Sequence, residues 1–261
     1  GLRGRAGREA SRLIDRPMHI GRLSTNLLRG RFVLEDVRID GLREGDAPFL
    51  DARRLVVDLP WWTLLSREIY IRSITMTDWK MRVETWPDGR HSFIRIPTPR
   101  RDAAQPRRFV TTVQLVRATR GEFTYQDHGT PWSTVARHLD ITVGKLADYR
   151  GEFRFSGGTI TIQDFVPMWA NAYATFRIDG GRVLLDRIDL DTDGAESKVT
   201  GVVNMARWPE QTYDVVSQVH LPRQKEIWWG GQDFTLSGDA EFRGRFSLFK
   251  GGRDLTGTFS S

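Results

Sequence analysis

Apolar residues recur at every second position over most of this chain, with polar or charged residues between them. That is the pattern of β-strands with one face covered and the other wet. The stretch that organises the rest runs from Gly30 to Ile96. Phe32 and Leu34 share one parity and Val37 and Ile39 the other, so the phase changes at Glu35–Asp36, where the pattern predicts a β-bulge. Gly41 closes this segment, and Leu55, Val57 and Leu59 alternate in the next. Residues 60–68 place Pro at a first helical position and carry apolar Trp61, Leu64 and Leu65, which predicts a short helix. Ile69 and Ile71 then alternate, and a long run ends on Trp79, Met81 and Val83. Pro87–Asp88–Gly89 turns the chain, and Phe93 to Ile96 is expected to return as a strand.

From residue 109 onward the pattern is strand and turn almost without helix. Val113 and Leu115 mark one strand, and Phe123 and Tyr125 the next. Leu139, Ile141 and Val143 alternate, as do Phe153 and Phe155. Gly157–Gly158 reads as a turn into Ile160 and Ile162. Ala172, Ala174, Phe176 and Ile178 lead through Gly180–Gly181 to Val183 and Leu185. Ile188 and Leu190 precede the Asp193–Gly194 turn, and Val199, Val203, Val215 and Val219 continue the alternation. Residues 222–229 form a second predicted helix, ended by Gly230–Gly231. Strands at 234–242, 246–249 and 255–259 close the chain, the last expected to continue beyond it. Four segments result: a basic stretch at 1–17, a β unit at 18–96, a linker or long loop at 97–108, and a repeating β segment at 109–261. The linker holds three prolines and four arginines.

Composition narrows this picture. Hydrophobic residues make up 39% of the chain and aromatics 11%, enough to bury a core. There is no cysteine, so disulfides and thiolate metal sites are excluded. The net charge of +6 comes mostly from arginines spread through the strands. That spread fits a rim facing anionic lipid better than a nucleic-acid footprint. No run of about twenty apolar residues exists to span a bilayer as a helix. The chain begins with Gly and reads as a piece of a longer protein.

Candidate chemistry is sparse. Asp189, Asp191 and Asp193 with Gly194 match the opening of a calcium loop, but its twelfth position is Thr200 where a bidentate Glu is required. Strand alternation accounts for the three aspartates better, with Ile188 and Leu190 facing in and the aspartates facing water. His19, His91, His128, His138 and His220 show no metal-ligand spacing. There is no nucleophile elbow, P-loop or dinucleotide fingerprint, so the expectation is no enzyme and no cofactor. Trp61–Trp62 and Trp228–Trp229 lie in the two helical segments, as plugs at the end of a sheet or as interfacial anchors. Periodicity alone fits both a β-sandwich and a single sheet curled into a trough.

Three strings carry a family resemblance: GRFVLEDVRIDG at 30–41 with DARRLVVDLPWWTLLSREIYIRSI at 51–74, ATFRIDGGRVLLDRIDLDTDG at 174–194, and TGVVNMARWP at 200–209. The chain resembles the AsmA-like family, and within it the TamB branch. The resemblance implies a mainly β fold, a long antiparallel meandering sheet curled into a taco-like groove with an oily inside. It implies a periplasmic segment of a protein anchored in the inner membrane by a helix absent from this sequence. Phospholipid would be carried between inner and outer membranes in support of outer-membrane biogenesis. The basic stretch Arg3–Arg16 departs from the positive-inside tendency if it follows such a helix. The expected lipid-facing residues are Val113, Leu115, Leu139, Ile141, Val143, Phe153, Phe155, Ile160, Ile162, Phe176, Ile178, Val203, Val215 and Val219. Trp61, Trp62, Trp228 and Trp229 are the interfacial or plug candidates. Phospholipid is the expected partner, with an outer-membrane β-barrel as a further one and nucleic acid as none. Two other readings stand beside this one. An assembly factor would pair groove-edge strands with unfolded barrel segments. An extracellular sandwich would bind or hydrolyse carbohydrate.

Overall fold

A computed structural model describes residues 16–60, 62–63, 68–94 and 110–261. The strands in chain order are β1 (Met18–Asn26), β2 (Arg31–Ile39), β3 (Leu50–Asp58), β4 (Glu68–Ile71), β5 (Ser73–Thr85), β6 (Val110–Val113), β7 (Leu115–Asp127) and β8 (Trp132–Lys145). They continue with β9 (Tyr149–Ile162), β10 (Met168–Asp179), β11 (Arg182–Thr192), β12 (Ala195–Asn204), β13 (Gln211–His220), β14 (Asp239–Phe249) and β15 (Gly252–Ser260). One α-helix, α1 (Leu221–Trp229), joins β13 to β14 with Pro in its first turn. Thirteen strands form one open sheet in the order β1-β2-β3-β5-β7-β8-β9-β10-β11-β12-β13-β14-β15. The helix expected at 60–68 is described only at Trp62 and Thr63, a 3-10 turn in which the Thr63 N–H and hydroxyl both donate to the Pro60 carbonyl. The basic start through Asp15, Trp61, Leu64, Leu65 and the 97–108 linker lie outside the described residues.

Every neighbouring pair in the large sheet runs antiparallel except β5 and β7. These two are parallel, with Ile74 facing Val116 and Thr85 facing Asp127. β4 and β6 prolong the same pair in the same offset, Ile71 facing Val113. A parallel neighbour demands a connection that crosses the length of the strands. Its described part starts with a turn at Trp86–Arg90. Ser92 then bonds the Glu84 backbone in both directions, its N–H to the Glu84 carbonyl and its hydroxyl oxygen from the Glu84 N–H. Phe93 and Ile94 are therefore not strand, contrary to the alternation. They turn inward and pack with Ile39, Phe49, Val83 and Tyr125. The parts of the chain before and after the linker share one sheet.

A row of left-handed residues crosses the first strands at one height. Asp36, Asp78, Arg120, His138 and Gly157 all have φ between 46° and 67°. The ladders set Asp36 opposite Gly21 and Arg53, and Asp78 opposite Arg53 and Arg120. Each left-handed step adds one residue that exchanges the strand's two faces. Leu34, Leu55, Met76 and Ala118 on one side of the row and Val37, Ala52, Trp79 and Ala136 on the other therefore join one apolar cluster despite their opposite parity. The phase change at Asp36 is the first of these steps. The others correct the sequence reading. Gly157–Gly158 is not a turn but a step inside the single strand β9, its Gly157 N–H donating to Asn171 Oδ1 at 2.8 Å. Residues 115–127 are one strand, carried through Arg120.

Packing on the inner face alternates large and small. Ala172 and Ala174 lie opposite Phe155 and Phe153, and Phe176 opposite Gly151. Trp79, 2% exposed, lies across Gly121. The sheet also coils strongly, as twisted sheets do. The β12–β13 turn reaches the far end of β7, where Trp208 stacks on Phe93 (centroids 5.5 Å apart) and meets Tyr125 edge-on at 6.2 Å. β1 and β15 remain unpaired edges, so the coil is not closed into a barrel.

A Cβ built on Gly121 would fall inside the Trp79 indole, whereas one on Gly144 meets nothing within 4 Å. Gly121→Ala is expected to lose about 2–3 kcal/mol by overpacking. Gly144→Ala should stay within about 0.5 kcal/mol of the parent. Urea midpoints at unchanged m-value check both.

Candidate functional site

The candidate site is the inner face of the coil. Strand alternation delivers to it Phe32 and Ile39 from β2, Val116 and Phe123 from β7, and Phe242, Phe246 and Leu248 from β14. Leu139, Ile141, Val143, Phe153, Phe155, Ile160, Ile162, Phe176, Ile178, Val203, Val215 and Val219 all take the inward parity, set by their pairings with one another and with Val116, Trp132, Met168 and Val199. Leu115 does not. It pairs with Gly144, out of phase with Val116 and Ala118, which are the inward residues of that strand. Val113 lies on the β4–β6 extension, outside the large sheet. The alternation there offered two equal phases, and the ladder to Ile141 and Val143 selects the other one.

One end of the face is filled by aromatic rings, and further along Met168, Phe176, Leu185, Val199 and Val219 are buried as well. At the filled end Phe49, Val83 and Tyr125 are buried under Phe93, Trp132 and Trp208. Burial raises the Tyr125 hydroxyl's pKa, and the hydroxyl donates to Thr85 Oγ1 at 3.3 Å. Burial likewise raises that of Tyr213, with Tyr125 a secondary cause. This aromatic plug was missed from the sequence, because Trp208 and Tyr125 meet only through the coil. Among the described residues the face belongs to one sheet, the other sheet being the two-stranded β4–β6 extension. At the β15 edge Leu255 and Phe259 lie 63% and 66% exposed beside Phe246 and Phe242.

The outer face is built from cross-strand ion pairs. Arg31 holds Asp58, Arg120 holds Asp78, Arg177 holds Asp186 and Arg245 holds Asp214, with shortest contacts of 2.6–2.8 Å. Hydrogen bonds from each arginine depress the partner carboxyl and raise the guanidinium. These pairs account for much of the arginine content as cross-strand pairing.

Among the described residues the candidate polar groups are engaged in local contacts. Asp127 is buried, but both its oxygens cap the following turn, accepting from the Gly129 and Thr130 N–H groups and the Thr130 hydroxyl. His19, His128 and His220 each contact one carboxylate, and His138 Nδ1 lies 3.1 Å from the Ser156 carbonyl oxygen. Asp189 pairs with Arg187 and Asp193 with Arg223, so the aspartates of the apparent calcium loop are drawn apart. Among the described residues no group of three or more His, Asp or Glu is placed to hold a metal, and no helix is long and apolar enough to cross a membrane.

The tryptophan candidates divide. Trp62 is exposed in its 3-10 turn. Trp228 packs edge-on against Phe165 at 4.8 Å and donates to Gln224 Oε1, holding α1 over the β9–β10 turn. Trp229 is partly exposed beside Phe234. α1 is anchored by the Arg223–Asp193 pair and by Gln224 donating to the Asp193 and Gly194 carbonyls. The chain matches no family model, no curated protein and no solved structure.

The Arg223 hydrogen bond holds the Asp193 carboxyl below the ordinary aspartate range. A depressed folded pKa contributes stability that is complete above the unfolded value of about 3.9 and is lost as pH falls through the folded one. Docking of α1 is therefore expected to weaken below about pH 4, read by Trp228 fluorescence. In Asp193→Asn that acid transition should vanish.

Proposed function

We propose that this chain carries phospholipid acyl chains along its inner face, as a segment of an AsmA-like, TamB-branch protein of the periplasm that supplies lipid for outer-membrane biogenesis. The observation that carries this reading is an apolar inner face continuous over an open thirteen-stranded sheet, with Leu255 and Phe259 bare at its edge. An isolated apolar face of this kind is costly in water. Acyl chains laid on it gain about 0.8 kcal/mol per buried methylene, without directional contacts. Headgroups would sit at the seam between the two free edges, where β1 carries Arg22 and β15 carries Arg253. The work is transfer without bond making, and needs no catalytic group.

The β15 edge supports a second reading. Its outer backbone groups are unpaired and its Leu255–Ser260 run carries no charge. An unfolded outer-membrane barrel strand could add there by β-augmentation. Site-specific crosslinks from Thr256 and Thr258 to such strands would favour assembly over carriage.

Mass spectrometry of gently extracted protein, and uptake of a fluorescent phospholipid, test the first reading. Phe242 is half-buried on the inner face and packs on Phe259 at 4.9 Å. Phe242→Asp sets a charge where acyl chains would lie. It is expected to cut lipid loading about tenfold or more, while cooperative unfolding persists with a loss under about 2 kcal/mol. A wild type that neither retains nor takes up lipid removes the reading.

A further inference from the structure

The turns at one end of the coil display leucines that strand alternation does not explain. Leu27 and Leu28, in the β1–β2 turn, are 59% and 94% exposed, and Leu146, in the β8–β9 turn, is 89% exposed. Trp62, 56% exposed, belongs to the same end, because the Leu59 N–H that leads into its turn donates to the Gly30 carbonyl of the β1–β2 turn. Lys145 precedes Leu146 directly and Arg29 follows Leu28 directly, while Arg72 and Arg150 lie at the same end of β5 and β9. Among the described residues Arg29, Arg72 and Arg150 form no ion pair. Of the carboxylates at this end, Asp58 is held by Arg31 and Asp179 by Arg182, and Asp148 lies in the Leu146 turn.

From this juxtaposition we propose that this end of the coil seats on an anionic bilayer, with Leu27, Leu28, Trp62 and Leu146 entering the headgroup–acyl boundary and the flanking arginines and lysine contacting lipid phosphates. The chemistry selects a membrane over a protein partner. The apolar side chains stand on separate turn tips instead of forming one flat patch, and a protein would need a matched pit for each. A fluid interface takes separate tips at once, and basic neighbours add the attraction that a few apolar side chains need for attachment. The inference does not depend on lipid carriage, since docking needs only the rim.

Flotation of the full chain with vesicles tests it. Wild type is expected to float with vesicles of phosphatidylglycerol and phosphatidylcholine, and more weakly with phosphatidylcholine alone. The variant L28D/L146D should lose about tenfold or more of its partition. Both positions lie in open solvent, so its thermal unfolding should match wild type. R29Q/K145Q should retain weak binding but lose the preference for phosphatidylglycerol and the sensitivity to salt. Loading from monomeric short-chain phospholipid separates this proposal from carriage: L28D/L146D should load like wild type, and Phe242→Asp should float like wild type. The proposal is overturned if wild type does not float with the anionic vesicles, if L28D/L146D floats equally well, or if this end captures one discrete protein while ignoring lipid.

Discussion

Left-handed backbone at a non-glycine residue costs about 1–2 kcal/mol, and this sheet takes such a step in β2, β5, β7 and β8 at Asp36, Asp78, Arg120 and His138. The return is geometric. A strand has two faces, and one residue of slip exchanges them. By making the step in these strands at one height, the sheet creases while keeping its apolar set inward on both sides of the crease. Polar contacts offset the cost on the outside. Arg120 clasps Asp78 with two nitrogens, and its own N–H donates to Asp140 at 2.9 Å. The cluster around Trp79 and the inner face itself depend on this row.

The inner and outer faces then divide the labour. Outside, arginine and aspartate neutralise one another across strand pairs, where exposed ion pairs contribute little stability but fix register and keep the surface soluble. Inside, aromatic rings fill one end, and Phe176, Leu185, Val199 and Val219 are buried further along, while Leu255 and Phe259 stay exposed at the β15 edge. A polar skin over an apolar lining is the division that the proposed reading rests on.

Much of this was legible in the residues. The β class, most strand positions, α1 and the phase change at Asp36 followed from alternation and from Pro and Gly. The step at Asp78 was legible in the opposite parity of Met76 and Trp79 but was not read, and those at Arg120 and His138 were hidden because small residues flank them. Ala118 and Gly121, or Ala136 and Leu139, give a weak parity signal, and Gly157–Gly158 carries the composition of a turn. Val113 and Leu115 were taken as inward because Val116 and Ala118 alternate equally well with them. The aromatic plug and the parallel β5–β7 pair were beyond reach, since both join parts of the chain that no local pattern connects.

That parallel pair sets the order in which the molecule can assemble. Every other ladder of the large sheet joins strands that follow one another in the chain, apart from the short β4 detour, so each can form as soon as its second strand exists. β5 and β7 meet only after the chain has doubled back along the whole strand length, with loop-closure entropy lost before any contact forms. Two meanders can grow independently, one on each side of this seam, and the apolar face becomes continuous only when they join. Until then each half exposes a bare edge at β5 or β7, together with the inner side chains that Trp79 and Tyr125 later help to bury, which makes the seam the point of greatest exposure to mispairing during folding.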